Sequence, residues 1–238
     1  MKVRVGTSGY SYKEWRGTFY PADLPASEML RFYATRLDTV EINNTFYRMP
    51  TTELLGRWAD EVGDSFVFVL KAARRITHER RLTPEAVQEA ARFLETAACL
   101  GPRLGPVLFQ LPPFFKKDAP RLREFLAGLP ASCRAAFEFR HATWFDDEVY
   151  EVLRERGAAL CVSDTEDSGA EGPPVVATGD WGYLRLRRQD YTIADLAGWA
   201  ERVHKQAWSQ AYVFFKHEDE GKGPELAASF KELLARQG

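Results

Sequence analysis

Ala135-Ala136-Phe137-Glu138-Phe139-Arg140 is a short apolar run interrupted by two charges, and it is followed by Asp147–Arg156, whose apolar side chains recur at helical spacing. Gly157 stops that helix, and Ala159-Leu160-Cys161-Val162-Ser163-Asp164 is again strand-like. A strand, a helix and a strand joined by short connections make a βαβ unit with parallel strands. The rhythm continues in both directions. Strands are predicted over 3–7, 39–43, 66–71, 107–111, 135–140, 159–164, 183–187 and 211–216. Helices are predicted over 27–37, 52–62, 147–156, 192–206 and 224–234, with two more after Thr83-Pro84-Glu85 and Asp118. Eight strands and seven helices in 238 residues predict an α/β fold, a TIM-like (β/α)8 barrel forming one domain over residues 1–238. Residues 165–182 are rich in Gly, Pro and acids with only a short Val175-Val176 run, so the sixth helix is expected to be degenerate. An open doubly wound sheet is the alternative, disfavoured because no G-x-G-x-x-G follows a strand.

Bulk properties exclude several classes. Hydrophobic residues make up 45% and charged residues 28%, ordinary for a globular domain with a sizeable core. A net charge of -2 provides no global field for nucleic acid or anionic lipid, so such binding would need a local patch. Cys99, Cys133 and Cys161 are far apart without C-x-x-C spacing, which argues against a disulfide framework or zinc ribbon. Cys99 and Cys161 read as inert core thiols. No apolar stretch has membrane-spanning length and the chain opens on a strand pattern, so a cytoplasmic protein without a membrane partner is expected.

The placement of charge carries the functional signal. On a strand, Glu138 and Arg140 share a face. Polar groups interrupt the other apolar runs in the same way: Val40-Glu41-Ile42-Asn43, Val69-Leu70-Lys71, Leu108-Phe109-Gln110-Leu111, Tyr183-Leu184-Arg185-Leu186-Arg187 and Phe214-Phe215-Lys216. Burying an unpaired ion costs several kcal/mol, so these groups must meet partners or line a cavity. They fall at strand C-terminal ends, where barrels of this kind carry their active sites. Glu138, Glu41, Lys71 and Asp164 are therefore the catalytic candidates. Arg140, His141, Arg185, Arg187, Lys216, Gln110 and Asn43 are candidates for binding substrate, with the loop aromatics Tyr10, Trp15, Tyr47 and Trp144.

Cations outnumber carboxylates at these ends. The expected ligand is a small anionic molecule, phosphorylated species included, processed by carboxylate acid/base chemistry. Arg185, Arg187, Arg188 and the Gly221-Lys222-Gly223-Pro224 helix start fit a barrel phosphate neighbourhood, whereas Glu218-Asp219-Glu220 opposes it. Neither a metal nor a cofactor is expected, because only four histidines exist and the surrounding cations repel a divalent ion. The alternative is a nucleic-acid-binding or repair protein using the loop from Lys71 to Arg81, which carries six basic residues and one acid. A structural ion-pair network plugging the barrel is the third reading.

The chain also resembles a known family. Gly6-Thr7-Ser8-Gly9-Tyr10 with Trp15, Gly17 and Phe19-Tyr20-Pro21, Val40 to Tyr47, Ile76-Thr77-His78, Leu108 to Pro113, and Glu138 to His141 with Trp144 look like the YecE-like family, domain-of-unknown-function family 72. The resemblance implies a TIM-like barrel and no particular reaction. The chain departs from it at Lys216-His217-Glu218, where many relatives carry an Asn pair.

Overall fold

The computed structural model describes residues 1–168, 173–216 and 221–237. Eight parallel strands close in sequence order: β1 (Lys2–Ser8), β2 (Thr39–Ile42), β3 (Val67–Lys71), β4 (Leu104–Gln110), β5 (Ala135–Glu138), β6 (Ala159–Asp164), β7 (Trp181–Leu186) and β8 (Gln210–Phe215). The closing pair runs β1 on β8, from Lys2 opposite Gln210 to Thr7 opposite Phe215. Around the barrel lie α1 (Met29–Ala34), a single turn α2 (Asn44–Tyr47), α3 (Thr52–Asp60), α4 (Pro84–Ala97), α5 (Ala119–Gly128), α6 (Asp147–Arg156), α7 (Ile193–His204) and α8 (Lys222–Gln237). The predicted (β/α)8 barrel is therefore the fold. Among the described residues the β6–β7 connection contains only a 3-10 turn, Glu166–Ser168, and no α-helix. Residues 169–172 of that connection, and the predicted Glu218-Asp219-Glu220 acids, lie outside the described residues. No helix is long and apolar enough to cross a membrane among the described residues.

Alternation along each strand separates two cores. Val5, Val40, Phe68, Phe109, Phe137, Leu160, Leu184 and Val213 face the helices, while Val69, Leu108, Ala136, Cys161, Tyr183 and Phe214 fill the lumen. The lumen is a packed interior and not a pore. Its N-terminal end is shut by Arg134, whose guanidinium lies 4.5 Å from the Trp181 ring and donates to Gln210 Oε1 at 2.8 Å. Beside it the buried Arg4 donates to the Ser65 and Asp38 carbonyls.

Local departures from expectation have physical reasons. The first helix is shorter than predicted because its start is a 3-10 turn, Ala26–Glu28. Thr83 precedes α4 but its hydroxyl donates to Glu85 Oε2 at 2.6 Å and caps no backbone N–H. Cys99 is exposed and lies in the 3-10 turn beyond α4, so only Cys161 of the two is a core thiol.

At Gly6 the backbones of β1 and β2 run close together, since a Cβ there would sit 2.1 Å from the Thr39 carbonyl oxygen. Because the obstacle is backbone, the strands would have to separate. Gly6→Ala is expected to destabilise by about 1–3 kcal/mol, read as a lower midpoint in chemical denaturation with an unchanged slope.

Candidate functional site

The C-terminal end of the lumen is charged. Glu41 on β2, Glu138 on β5 and Arg185 on β7 are all buried and point inward, as the alternation of their strands requires. Arg185 spans the lumen: its Nη2 donates to Glu41 Oε1 at 2.9 Å and its Nη1 donates to Glu138 Oε2. The remaining lone pairs of Glu41 are filled by Ser8 Oγ at 2.8 Å, Asn43 Nδ2 at 3.1 Å and Tyr183 OH at 2.6 Å. Those of Glu138 take Arg140 Nε at 3.1 Å and Arg187 Nη1 at 3.4 Å.

Burial alone would raise the Glu138 carboxyl, but the guanidiniums of Arg185, Arg140 and Arg187 outweigh it and hold it down at about 2. Burial likewise pushes Glu41 up, and Arg185 with the Tyr183, Ser8 and Asn43 donors hold it below the usual range. Both groups are fixed carboxylates at neutral pH, so neither has a proton to give. This differs from the sequence-based expectation of a carboxylate acid. The reason is the guanidinium bridge, which strand spacing does not reveal.

Lys71 behaves in the opposite way. It ends β3 facing the same mouth with 9% of its surface exposed, and its ammonium lies 4.1 Å from the Phe46 ring centroid. Burial, then the neighbouring Arg185, lowers it to about 8, although Glu41 and Glu138 pull it upward. An amine tuned this way exchanges a proton near physiological pH. Its carbonyl accepts from Thr45 Oγ1 at 2.7 Å, which locks the β3 exit against α2. The loop that follows contains a π-helical turn, Arg75–Glu79, and then Arg81 and Leu82 at φ 45 and 62. Such turns and consecutive left-handed residues are costly, about 1–3 kcal/mol for each left-handed residue, and concentrate at functional sites. They carry His78, which meets the Phe46 ring edge-on at 4.9 Å. Burial, then Lys71, lowers His78 to about 4, so it stays neutral at pH 7.

Other predicted residues have different placements. Gln110 is buried and pairs in register with Glu138, and Asn43 and Arg187 join the network as described. Asp164 faces outward: its Oδ2 accepts from Tyr191 OH at 2.8 Å and Trp199 Nε1 at 3.2 Å, beneath α7. Alternation from the lumen residue Cys161 assigns that outward face. His141 does not reach the carboxylates; its Nδ1 accepts from the Thr143 N–H at 3.2 Å and caps a 3-10 turn. Trp144 is fully buried, stacked on Phe139 at 4.7 Å, and Trp15 is fully buried among Tyr12, Phe19 and Tyr20. Tyr10 is half-buried beside Trp58 in a small cleft over β2. Lys216 follows the inward-facing Phe214 by two residues and stays half-buried. Tyr47 is 80% exposed. It ends α2 and, like Met49, Phe114, Phe145 and the first α7 residue Ile193, is a large exposed hydrophobic in a segment that follows a strand C-terminal end. Ser8, Phe46, His78 and Tyr183 were not among the predicted residues, although Ser8 and Tyr183 lie at inward positions of their strands. Among the described residues no three His, Cys, Asp or Glu side chains gather in a way that would hold a metal ion.

Two opposite stability outcomes separate the roles. Glu138→Gln leaves Arg185 half-neutralised in the core and should destabilise by about 3–5 kcal/mol. In the wild type, Glu138 stabilises fully above its unfolded pKa of about 4.3, and this contribution is lost as pH falls toward about 2. Lys71→Met removes a cation that burial disfavours and should stabilise at pH 7 by about 1–3 kcal/mol. The wild-type penalty fades as pH rises from about 8 toward the unfolded value near 10.5, because there the unfolded chain binds more protons. Denaturant midpoints followed from about pH 5 down to 2 for Glu138, and from about pH 7 up to 10.5 for Lys71, check the two.

Comparison with known proteins agrees with this architecture. Residues 4–238 match the family described as "Protein of unknown function DUF72". The UPF0759 protein YecE of Escherichia coli (strain K12) is 30% identical over 157 residues, covering 63% of this chain and 57% of the relative, so the match spans little more than half of that protein. YunF of Bacillus subtilis (strain 168) is 25% identical over 217 residues, covering 87% of this chain and 72% of YunF. The crystal structure of a DUF72 family protein from Thermotoga maritima MSB8 superposes with a TM-score of 0.84 at 27% identity, over 99% of this chain and 100% of that one. A DUF72 family protein from Enterococcus faecalis V583, 19% identical with a TM-score of 0.79, shares the fold over 98% of this chain and 95% of its own. With its family signature running from the first strand to the last helix, the chain belongs to the DUF72 family.

Proposed function

We propose that the barrel mouth is the active site of an enzyme that binds a small anionic molecule, phosphorylated or carboxylated, on Arg140 and Arg187 and moves protons with Lys71. The observation that carries this is the division of labour among the cations. Arg185 is consumed by Glu41 and Glu138, whereas the Arg140 and Arg187 side chains keep 36% and 19% of their surface open and share one carboxylate oxygen. Among the described residues discussed above, four cations stand against two carboxylates at the mouth, a surplus that attracts an anion. The exposed hydrophobics beyond the strand exits support the same reading, since ligand sites combine a few convergent charges with apolar walls. In this scheme Glu41 and Glu138 position guanidiniums, and the exchangeable proton resides on Lys71.

A thermal-shift series with inorganic phosphate, small sugar phosphates and carboxylates tests the proposal. A bound anion at 100 times its Kd should stabilise by about 2.7 kcal/mol. Arg140→Ala leaves Glu138 paired to Arg185 and should weaken the binding by about tenfold or more, equivalent to about 1.4 kcal/mol. Absence of stabilisation by any small anion would sink the reading. Oligonucleotide binding that weakens steeply with salt and collapses when Arg74, Arg75, Arg80 and Arg81 are neutralised would favour a nucleic-acid role instead.

A further inference from the structure

Lys71 has no carboxylate within ion-pairing distance among the described residues, although it ends a strand in a site that holds two. Glu41 and Glu138 are saturated by six other donors: Arg185, Tyr183, Ser8, Asn43, Arg140 and Arg187. The ammonium instead lies on the face of Phe46, and its main chain is pinned through Thr45. A lysine kept for structure would be expected to pair with a carboxylate or extend to solvent. The Phe46 face favours the ammonium, but burial and then the neighbouring Arg185 work against it, which brings the neutral amine and its lone pair within reach near neutral pH.

We propose that Lys71 is a nucleophilic amine that condenses with the carbonyl group of a small anionic aldehyde or ketone, whose anionic group lies on Arg140 and Arg187. This rests on the anion-binding reading above. The neutral Nζ attacks the carbonyl carbon, a C–N bond forms, and the C=O π pair moves to oxygen. That oxygen departs as water with the two hydrogens of the amine, leaving a C=N bond to Lys71. Protonation of this imine makes it an electron sink for cleavage or proton loss at the adjacent carbon. Phe46, whose ring face carries the Lys71 ammonium, also lines a cleft of about 500 Å³ with Tyr47, Met49, Arg74 and Arg75.

The test is reductive trapping on the full chain. Dihydroxyacetone phosphate or glyoxylate is added, sodium borohydride reduces any imine to a stable secondary amine, and peptide mass mapping locates it. The expected result is modification of Lys71 about tenfold faster than of the exposed Lys13 and Lys205, following its larger neutral fraction. Inorganic phosphate should slow that modification. Lys71→Arg keeps the positive charge, so it should retain the thermal shift with phosphate while losing the fast adduct. Trapping at Lys71 no faster than at Lys13 and Lys205, with the phosphate shift intact, overturns the carbonyl proposal and leaves anion binding standing. Fast trapping that phosphate neither slows nor accompanies with a thermal shift would sustain the nucleophile and overturn the anion-binding reading.

Discussion

Arg185 is the residue on which the mouth depends. It is one cation between two carboxylates, buried where water cannot solvate any of the three. Desolvating such groups costs several kcal/mol each, and the arrangement is tolerable only because nearly every lone pair of the carboxylates is met. The bridge also joins β2, β5 and β7, strands that are not neighbours in the sheet. A one-residue slip in any of them would turn its charged group into the helical layer, so the ion pairs and the apolar alternation specify the same register.

The same bridge explains why the cations around it differ in chemistry. By saturating both acids it leaves Lys71 without an ion-pair partner, so burial and then Arg185 lower its proton affinity more than Glu41 and Glu138 raise it. Proton affinity falls on the amine and rises nowhere on the carboxylates. The acid/base candidate is thus selected by which group the bridge excludes. The strained loop after β3 fits this picture, since its π-helical turn carries His78 against the Phe46 ring.

Much of this was legible in the chain. The limits of β6 coincide with the predicted run, and position at strand C-terminal ends picked out Glu41, Lys71, Glu138 and Arg185 as mouth residues. Period-two patterning reports which face a side chain takes, but not which residue lies opposite across a closed lumen. For that reason Tyr183 read as an ordinary apolar strand position and Ser8 only as part of the Gly6-to-Tyr10 motif, although both donate to Glu41. Trp15 and Trp144 fail for a related reason. A loop aromatic has the same sequence signature whether it opens to solvent or folds under the loop, and both are buried. Asp164 was misassigned by proximity to a strand end, when one step of alternation turns it toward Tyr191 and Trp199.

The Arg134 and Arg4 floor has a kinetic meaning. With the N-terminal end stacked shut against Trp181 and the middle filled by side chains, the described residues leave no passage through the lumen, and the charged base is approached from the C-terminal side. Tyr47, Phe114 and Phe145 stand exposed in segments that follow strand exits on that same side. A polymer can therefore present an end or an extruded unit to the charged base but cannot thread through it. In the enzyme proposed above, substrate and product would share that approach, so accumulating product would compete with the next arrival.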